Sequence, residues 1–253
     1  MLYLSPKTVS CQLYCCPLKG FSAAIQSGTQ DPYEAIGQGT NCGTGSASGY
    51  CPANGDQIVV VLFSGAARAL RIDTNRGQLS LGTPGSTFGH NAGANTVSVA
   101  ATDWNSAKTG TKPFTGSANP DEFFSSDGPR KIFYNPDGSA ITANNFLFGT
   151  NGGTTLQKPD ITAADGISTK TGSAQNQTTP GSPFIPFFGT SAAAPHAAAI
   201  AALIKSAKPS YTPAQIKTAM TSTALDNGAA GWDRDGGFGV VMALQAVQYA
   251  LAH

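Results

Sequence analysis

The stretch FFGTSAAAPHAAAIAALI, from Phe187 to Ile204, decides the fold of this chain. It is apolar nearly all round and predicts a helix from Ser191 to Ala207 that is buried on most sides. A glycine, a threonine and a serine stand directly before the alanine run. Two interpretations of Ser191 follow: it is either the N-cap of this helix, a common place for serine, or a nucleophile held at the helix start.

The residues around Ser191 favour the nucleophile. A helix N-terminus carries roughly half a positive charge, which stabilises a developing oxyanion, and the backbone N–H of the serine can point at that anion. Gly189 has no Cβ, so the backbone can approach a bound carbonyl closely. Pro195 is expected in the first turn, where its missing N–H costs nothing. A buried helix behind the serine would hold it rigidly, as nucleophilic catalysis requires.

The composition of the chain excludes several classes of partner. The formal net charge is +1 over 253 residues, and charged residues make up 11%, against ~25% in an average soluble domain. This balance predicts no nucleic-acid partner, and no stretch approaches the ~20 apolar residues of a membrane span. The start lacks a basic region followed by an unbroken apolar run, so no signal peptide is predicted. The length suits one sizeable domain.

The cysteines predict no metal site. The sequence has five of them, Cys11, Cys15, Cys16, Cys42 and Cys51, without the paired spacing and histidine support that zinc needs. No metal or cofactor is therefore expected. Cys42 and Cys51 flank a Gly/Ser loop that either closes as a local disulfide in an oxidising compartment or holds two free thiols.

Changes of pattern divide the chain into an N-terminal segment and one domain. Residues 1–56 show no sustained periodicity, and an irregular segment is predicted there. Residues 57–253 form the predicted domain, which opens with a β-rich section at 57–90 that contains the strand QIVVVLF. The apolar run NTVSVAA, from Asn95 to Ala101, suits a strand of a sheet covered on both faces.

The last third of the chain is predicted to be helical. YTPAQIKTAMTSTA begins with Thr212 as N-cap, Pro213 at the first helical position and Gln215 where a capping box needs it. VVMALQAVQYALAH, which starts at Val240, predicts a closing helix.

GTSAAAPHAAA resembles the serine motif of the subtilisin-like serine peptidases, the subtilases, usually Gly-Thr-Ser-(Met/Ala)-Ala-x-Pro-His-x-(Ala/Ser)-Gly. It departs at Ala199, where the family usually has glycine. KPDITAADG, FFSSDGP, NTVSVAATD and GGFGVVMALQAV resemble further family segments in the right order, although Ala164 and Asp165 depart from the first of them. The resemblance covers residues 95–253. More loosely it includes the β-rich part, which looks like an insertion carried by some large bacterial subtilases.

The resemblance implies an α/β fold with a mainly parallel sheet flanked by helices and a small β-rich insertion. It implies that Ser191 is the nucleophile of a serine endopeptidase that cuts polypeptide substrates, in an extracellular or periplasmic location. The triad order of the family places its aspartate and histidine motifs before the serine. Neither motif is present, so the N-terminal half of the usual domain is expected to be absent.

None of the three histidines stands in a catalytic histidine motif. His196 follows Ser191 on the same helix and is expected to point away from it, packing and hydrogen-bonding in the interior. His253 is the last residue and is expected to be solvated. His90 is the candidate base that precedes the serine, but its context fits the loop before the strand that includes Asn95 better.

Three functions stay open at this level. The first is an active peptidase. The second is a non-catalytic fragment or pseudoenzyme that acts as a binding or partner module. For an active peptidase, an upstream polypeptide would supply the missing Asp and His. The third is a sedolisin-like acid peptidase with Glu34 as its acid, against which the Pro-His pair after the serine argues. Asp73 is interpreted as a strand-end aspartate, because asparagine follows Thr74 and no histidine motif comes after it.

Overall fold

The computed structural model describes residues 82–104, 114, 119–135, 137–142, 152–170 and 185–253, together with the backbone of six strands before residue 73. The chain divides into two compact units. The first comprises Met1–Gly82 and Phe133–Thr154, and the second comprises Thr83–Ile132 and Thr155–His253. No helix within the described residues is long and apolar enough to span a bilayer.

The strands described in the first unit form two antiparallel sheets. They are β1 (Leu2–Tyr3), β2 (Ser10–Cys16), β3 (Phe21–Ile25), β4 (Tyr33–Glu34), β5 (Gln57–Ser64) and β6 (Arg71–Ile72). β2 lies between β3 and β5, and β1 lies between β4 and β6. The predicted strand QIVVVLF is confirmed as β5. β1 to β4 lie where the sequence pattern predicted no regular structure; cross-strand partners, rather than periodicity, define such strands.

The later elements include all the described helices. The strands are β7 (Val99–Asp103), β8 (Arg130–Ile132), β9 (Thr154–Leu156), β10 (Ile161–Asp165), β11 (Ile167–Thr169) and β12 (Ile185–Phe187), and the helices are α1 (Thr190–Ala207), α2 (Pro213–Ser222) and α3 (Ala243–Ala252). β7 and β10 pair in parallel with Asp103 opposite Asp165, and Val240 adds a parallel bridge to Thr162 on β10. β8 pairs with β9, and β11 pairs antiparallel with β12.

The core of the second unit lies between the parallel pair and the helices. Every residue of β10 is buried, and α1 packs against both β10 and β7, while α2 and α3 pack against α1. Alanines dominate this core, so helix and sheet can approach closely. The buried alanines of this cluster are Ala101, Ala163, Ala193, Ala197, Ala219, Ala246 and Ala250.

The prediction that α1 is buried on most sides is wrong. Its buried residues form one stripe that includes Ala193, Ala197, Ile200 and Ile204. The opposite face is exposed, and the Leu203 side chain on it is 55% accessible. The alanine-rich sequence made all faces look apolar, but only the stripe that meets the sheet and the other helices is covered.

The helix and strand boundaries partly follow the sequence patterns. α2 begins as predicted, with the Thr212 and Gln215 capping box formed and Pro213 at the first position. The closing helix begins at Ala243 and not at Val240, because the backbone of Val240 pairs with that of Leu225. β7 likewise begins later than predicted, at Val99.

An α/β core is present, and its parallel part is small. Parallel pairing joins β7, β10 and the Val240 bridge, whereas the sheets of the first unit and the β11–β12 pair are antiparallel. The expected absence of an N-terminal half stays a prediction.

The KPD segment ties the parallel pair to α2. Lys158 is 1% exposed, and its Nζ lies 2.7 Å from Oδ2 of Asp160. The same carboxylate accepts the N–H of Ser98 at 2.7 Å and pairs with Lys217 on α2. Burial lowers the pKa of Lys158, although the Asp160 carboxylate acts in the opposite direction. A buried charge is thereby compensated at the amino end of β10.

Candidate active site

The chain turns from strand to helix just ahead of Ser191. β12 ends at Phe187, and α1 begins at Thr190. Between them Gly189 adopts a φ of 115°, a conformation that residues with a Cβ rarely adopt. The glycine of the motif therefore makes the bend that leads from the sheet into the helix.

Ser191 is the second residue of α1 and not its N-cap. The N-cap is Gly189, which has no side chain to cap the helix. Ser191 is exposed, and its hydroxyl makes no hydrogen bond with another described residue. The N-cap interpretation is thus wrong, because the chain enters the helix two residues earlier. The hydroxyl lies at the positive end of a helix that packs on the sheet.

The first turn of α1 leaves backbone donors near the serine. The N–H groups of Ala192 and Ala193 donate to the carbonyl of Gly189, at 2.8 and 3.2 Å. The N–H groups of Thr190 and Ser191 precede these bonds and have no intrahelical acceptor. Such donors at a helix start are suited to binding an anionic oxygen.

Pro195 lies deeper in the helix than the sequence suggested. Because α1 begins at Thr190, Pro195 falls in the second turn. It has no N–H to donate to the carbonyl of Ser191, four residues earlier. The expectation that its missing N–H costs nothing is therefore wrong. The carbonyl of Ser191 lacks the usual helical partner.

Asp165, which the sequence showed only as a departure from the family segment, is part of this bend. It is the last residue of β10, it is fully buried, and its Oδ2 accepts the N–H of Gly189 at 2.6 Å. Its Oδ1 has no hydrogen-bond partner among the described residues. The sequence signal for this role was an aspartate at the end of the segment KPDITAADG, but its partner Gly189 lies 24 positions further along the chain.

Carboxylates gather at this edge of the parallel pair. Burial raises the pKa of Asp165; the bond from Gly189 opposes the rise, and the nearby Asp103 adds to it. Burial is also the largest cause that raises the pKa of Glu122, and the negative charges of Asp165 and Asp103 raise it further. The local field at the carboxyl edge of the strands is therefore negative, close to the positive end of α1.

The three histidines form no hydrogen bond with Ser191 in the described structure. His90 is exposed in a short 3-10 helix, Gly89–Ala92, which precedes the amino end of β7. His196 is half-buried in α1, and its Nδ1 is buried without the hydrogen bond expected for it within the described residues. His253 is exposed and stacks on Tyr249, with ring centroids 4.2 Å apart.

Several predicted residues lie outside the described side chains. Asp73, Cys42 and Cys51 fall outside the described residues. Glu34 lies on β4 in the first unit, where only the backbone is described, and Cys11 lies on β2 under the same condition.

The described residues also line a cleft of about 490 Å³. Its lining includes Asp121, Glu122, Asp233 and Asp235, but not Ser191. Within the described part of the chain, no group of three or more metal-ligating side chains is arranged to hold an ion.

Comparison with known proteins identifies the family. The subtilase model, peptidase S8, matches residues 26–239. The chain therefore belongs to the subtilase family of serine peptidases. A subtilisin-like protease of Arabidopsis thaliana, SBT2.3, is 35% identical over 106 residues, which are 41% of this chain and 12% of that protein.

Two solved structures of bacterial proteases are also similar to parts of the chain. A protease from Pseudoalteromonas arctica is 30% identical with a TM-score of 0.29, over 39% of this chain and 31% of that one. Fervidolysin from Fervidobacterium pennivorans, a keratinolytic enzyme related to subtilisin, is 22% identical with a TM-score of 0.36, over 63% of this chain and 20% of that one. This chain thus spans 12% to 31% of the length of these relatives.

Proposed function

We propose that this chain acts in proteolysis as a serine-type endopeptidase of the subtilase family, with Ser191 as its nucleophile and polypeptides as substrates. The observation that supports this most directly is the exposed hydroxyl of Ser191 at the start of α1. The N–H of Ser191 is a candidate donor to the oxyanion that forms during attack, because it precedes the first bonds of the helix.

In the proposed reaction, Oγ of Ser191 attacks the carbonyl carbon of a peptide bond, and its proton passes to a base. The amine leaves with that proton, and water then hydrolyses the acyl-enzyme. None of the three histidines of this chain is hydrogen-bonded to Ser191 in the described structure. The proposal therefore takes the histidine and aspartate of the triad from another polypeptide.

The exposed face of α1 supports a partner of this kind. Ala194, Ala198, Ala199 and Leu203 are exposed on the helix that begins with the candidate nucleophile. An apolar helix face next to the site is a surface that a complementing polypeptide would cover. Extracellular or periplasmic action is part of the same proposal, and the low content of charged residues is compatible with it.

A non-catalytic binding module is the second candidate. It is favoured by the lack of contact between any described histidine and Ser191, since a serine without a base is a weak nucleophile. The sedolisin-like alternative, with Glu34 as acid, would instead require activity confined to acid pH.

Labelling with a fluorophosphonate probe tests these functions. We expect stoichiometric modification of Ser191 in the chain supplemented with an upstream subtilase fragment that carries the family's aspartate and histidine motifs, and none in Ser191→Ala under the same conditions. Ser222→Ala, which removes another exposed serine at the end of α2, should label like the wild type. A folded chain, judged by circular dichroism, that does not label even with that fragment would favour the binding module. Labelling at acid pH alone, lost in Glu34→Gln, would favour the sedolisin-like enzyme.

A further inference from the structure

Asp165 forms one of two contacts that hold the bend before α1. Its carboxylate accepts the N–H of Gly189 at 2.6 Å, although the two residues are 24 positions apart in the sequence. Because Asp165 is fully buried and ends β10, the bond joins the carboxyl edge of the parallel pair to the start of the helix. A bond from an N–H to a carboxylate is about twice as strong as one between neutral groups.

The second contact packs an aromatic ring onto a glycine. Gly166 has a φ of 65°, and a Cβ placed there would lie 2.7 Å from Cε1 of Phe188. The β11–β12 ladder continues directly from this contact, with Ile167 opposite Phe187. The turn at residues 165–166 and the bend at 188–189 are therefore held together at two adjacent points.

The charges that face the Asp165 carboxylate are mostly unfavourable to its ionised form. Asp103 faces it from β7 and Glu122 from the segment along that strand, and both are negative. The described residues of β11, of β12 and of the first turn of α1 carry no charged side chain. The N–H of Gly189 and the backbone of Asp165 itself lower the pKa of this carboxyl, and the positive end of α1 also favours the ionised form.

We propose that Asp165 is a positioning residue for Ser191, whose ionised carboxylate sets the orientation of the Gly189 peptide and with it the first turn of α1. Protonation weakens this bond, and the peptide then loses the constraint that aligns Ser191. The role in reactivity rests on the proposed function of Ser191, whereas the bond itself does not. Since burial raises the pKa of Asp165, the change occurs at higher pH than for an exposed aspartate.

The amide resonance of Gly189 tests the bond without any substitution. In the full chain labelled with ¹³C-carbonyl phenylalanine and ¹⁵N-glycine, Phe188–Gly189 is one of four Phe–Gly pairs observable by NMR, and its signal is the one lost in Phe188→Leu. We expect its amide proton to lie far downfield at pH 8 and to move upfield as the pH falls through the titration of Asp165. Asp165→Asn should remove this titration. An amide that does not titrate with pH, or one that titrates equally in Asp165→Asn, would overturn the proposal.

The rate of fluorophosphonate labelling tests the effect on Ser191. We expect the wild-type rate, measured with the same upstream fragment present, to fall as the pH falls, with the same midpoint as the Gly189 amide. Asp165→Asn should label about tenfold more slowly at pH 8, with no dependence on that titration, because the loss of a charged hydrogen bond is worth about one power of ten. Asp235→Asn, at an exposed aspartate, should behave like the wild type.

The two measurements separate the two possible failures. If the wild type does not label at any pH, the proposed function of Ser191 fails, and the amide titration still decides whether Asp165 holds the bend. If the wild type labels and Asp165→Asn labels at the same rate over the whole pH range, the positioning role is overturned while the proposed function stands.

Discussion

At the scale of single residues, Asp121 combines a half-buried carboxyl with incomplete hydrogen bonding around it. Its Oδ1 accepts the hydroxyl of Thr162 at 2.6 Å and Nδ2 of Asn227 at 3.2 Å. Oδ1 of Asn227 is buried and has no partner among the described residues. Burial raises the pKa of Asp121, although both hydrogen bonds oppose the rise. The folded chain therefore binds a proton where the unfolded chain has already released it, so stability falls as pH rises between the unfolded and folded pKa values.

Asp121→Asn should remove this loss of stability at neutral pH. The amide keeps an acceptor for Thr162 and adds a neutral donor near Asn227, so we expect the free energy of unfolding at pH 7 to rise by about 1 kcal/mol. Urea unfolding at pH 4.5 and pH 7.5 measures the change and its pH dependence. A variant less stable than the wild type at both pH values would contradict the prediction.

Asp137→Asn is the matched control, for which the opposite change in stability is expected. Hydrogen bonds from the side chain and backbone of Ser139 lower the pKa of Asp137, which is fully exposed. Its contribution to stability is present above the unfolded pKa and lost as pH falls through the folded pKa. This variant should therefore lose stability at neutral pH and not gain it.

At the scale of elements, α2 shows how a local signal fixes a helix start. Oγ1 of Thr212 accepts the N–H of Gln215 at 3.3 Å, and Oε1 of Gln215 accepts the N–H of Thr212 at 2.9 Å. Both bonds are formed within four residues of chain, so they depend little on the rest of the fold. This is why the start of α2 was predictable, whereas the start of α3 was not.

Thr212→Ala removes the capping hydroxyl and should lower the free energy of unfolding by about 1 kcal/mol. Thr218→Ala, at an exposed threonine inside the same helix, is the control and should change stability by less. Chemical denaturation followed by circular dichroism measures both. Equal losses in the two variants would show that the capping box contributes nothing of its own.

At the scale of the whole molecule, the Lys158–Asp160 pair links distant parts of the second unit. Asp160 bonds to the backbone of Ser98 before β7 and pairs with Lys217 on α2. In addition, the main chain of Gly128 approaches so closely that a Cβ there would lie 1.5 Å from the carbonyl oxygen of Lys158. Gly128, in the segment FFSSDGP, and Lys158, in the KPD segment, are 30 positions apart in the sequence, and they meet at this point.

Lys158→Met should destabilise the chain by about 3 kcal/mol, because it leaves the buried Asp160 carboxylate with one lysine partner fewer. Lys170→Met, at an exposed lysine, should change stability by no more than about 0.5 kcal/mol. Thermal and urea unfolding of both variants measure the difference. Unchanged stability in Lys158→Met would mean that methionine packing offsets the lost ion pair.

The sequence alone determined the features that depend on neighbours along the chain. The helix after the GTS motif, the capping box at Thr212 and the strand QIVVVLF follow from periodicity and local hydrogen bonding. The serine motif also pointed to the family that the comparisons show. These signals lie within a few residues of each other, so no knowledge of the fold is needed to recognise them.

Only the tertiary structure decided the features that depend on contacts across the chain. The tertiary structure makes Gly189, and not Ser191, the N-cap of α1, and it leaves one face of that helix exposed. It also brings the carboxylate of Asp165 to the amide of Gly189. The physical reason is that burial and hydrogen-bond partners are set by which elements pack together. An alanine-rich helix looks the same on all faces in the sequence, but the sheet can cover only one of them.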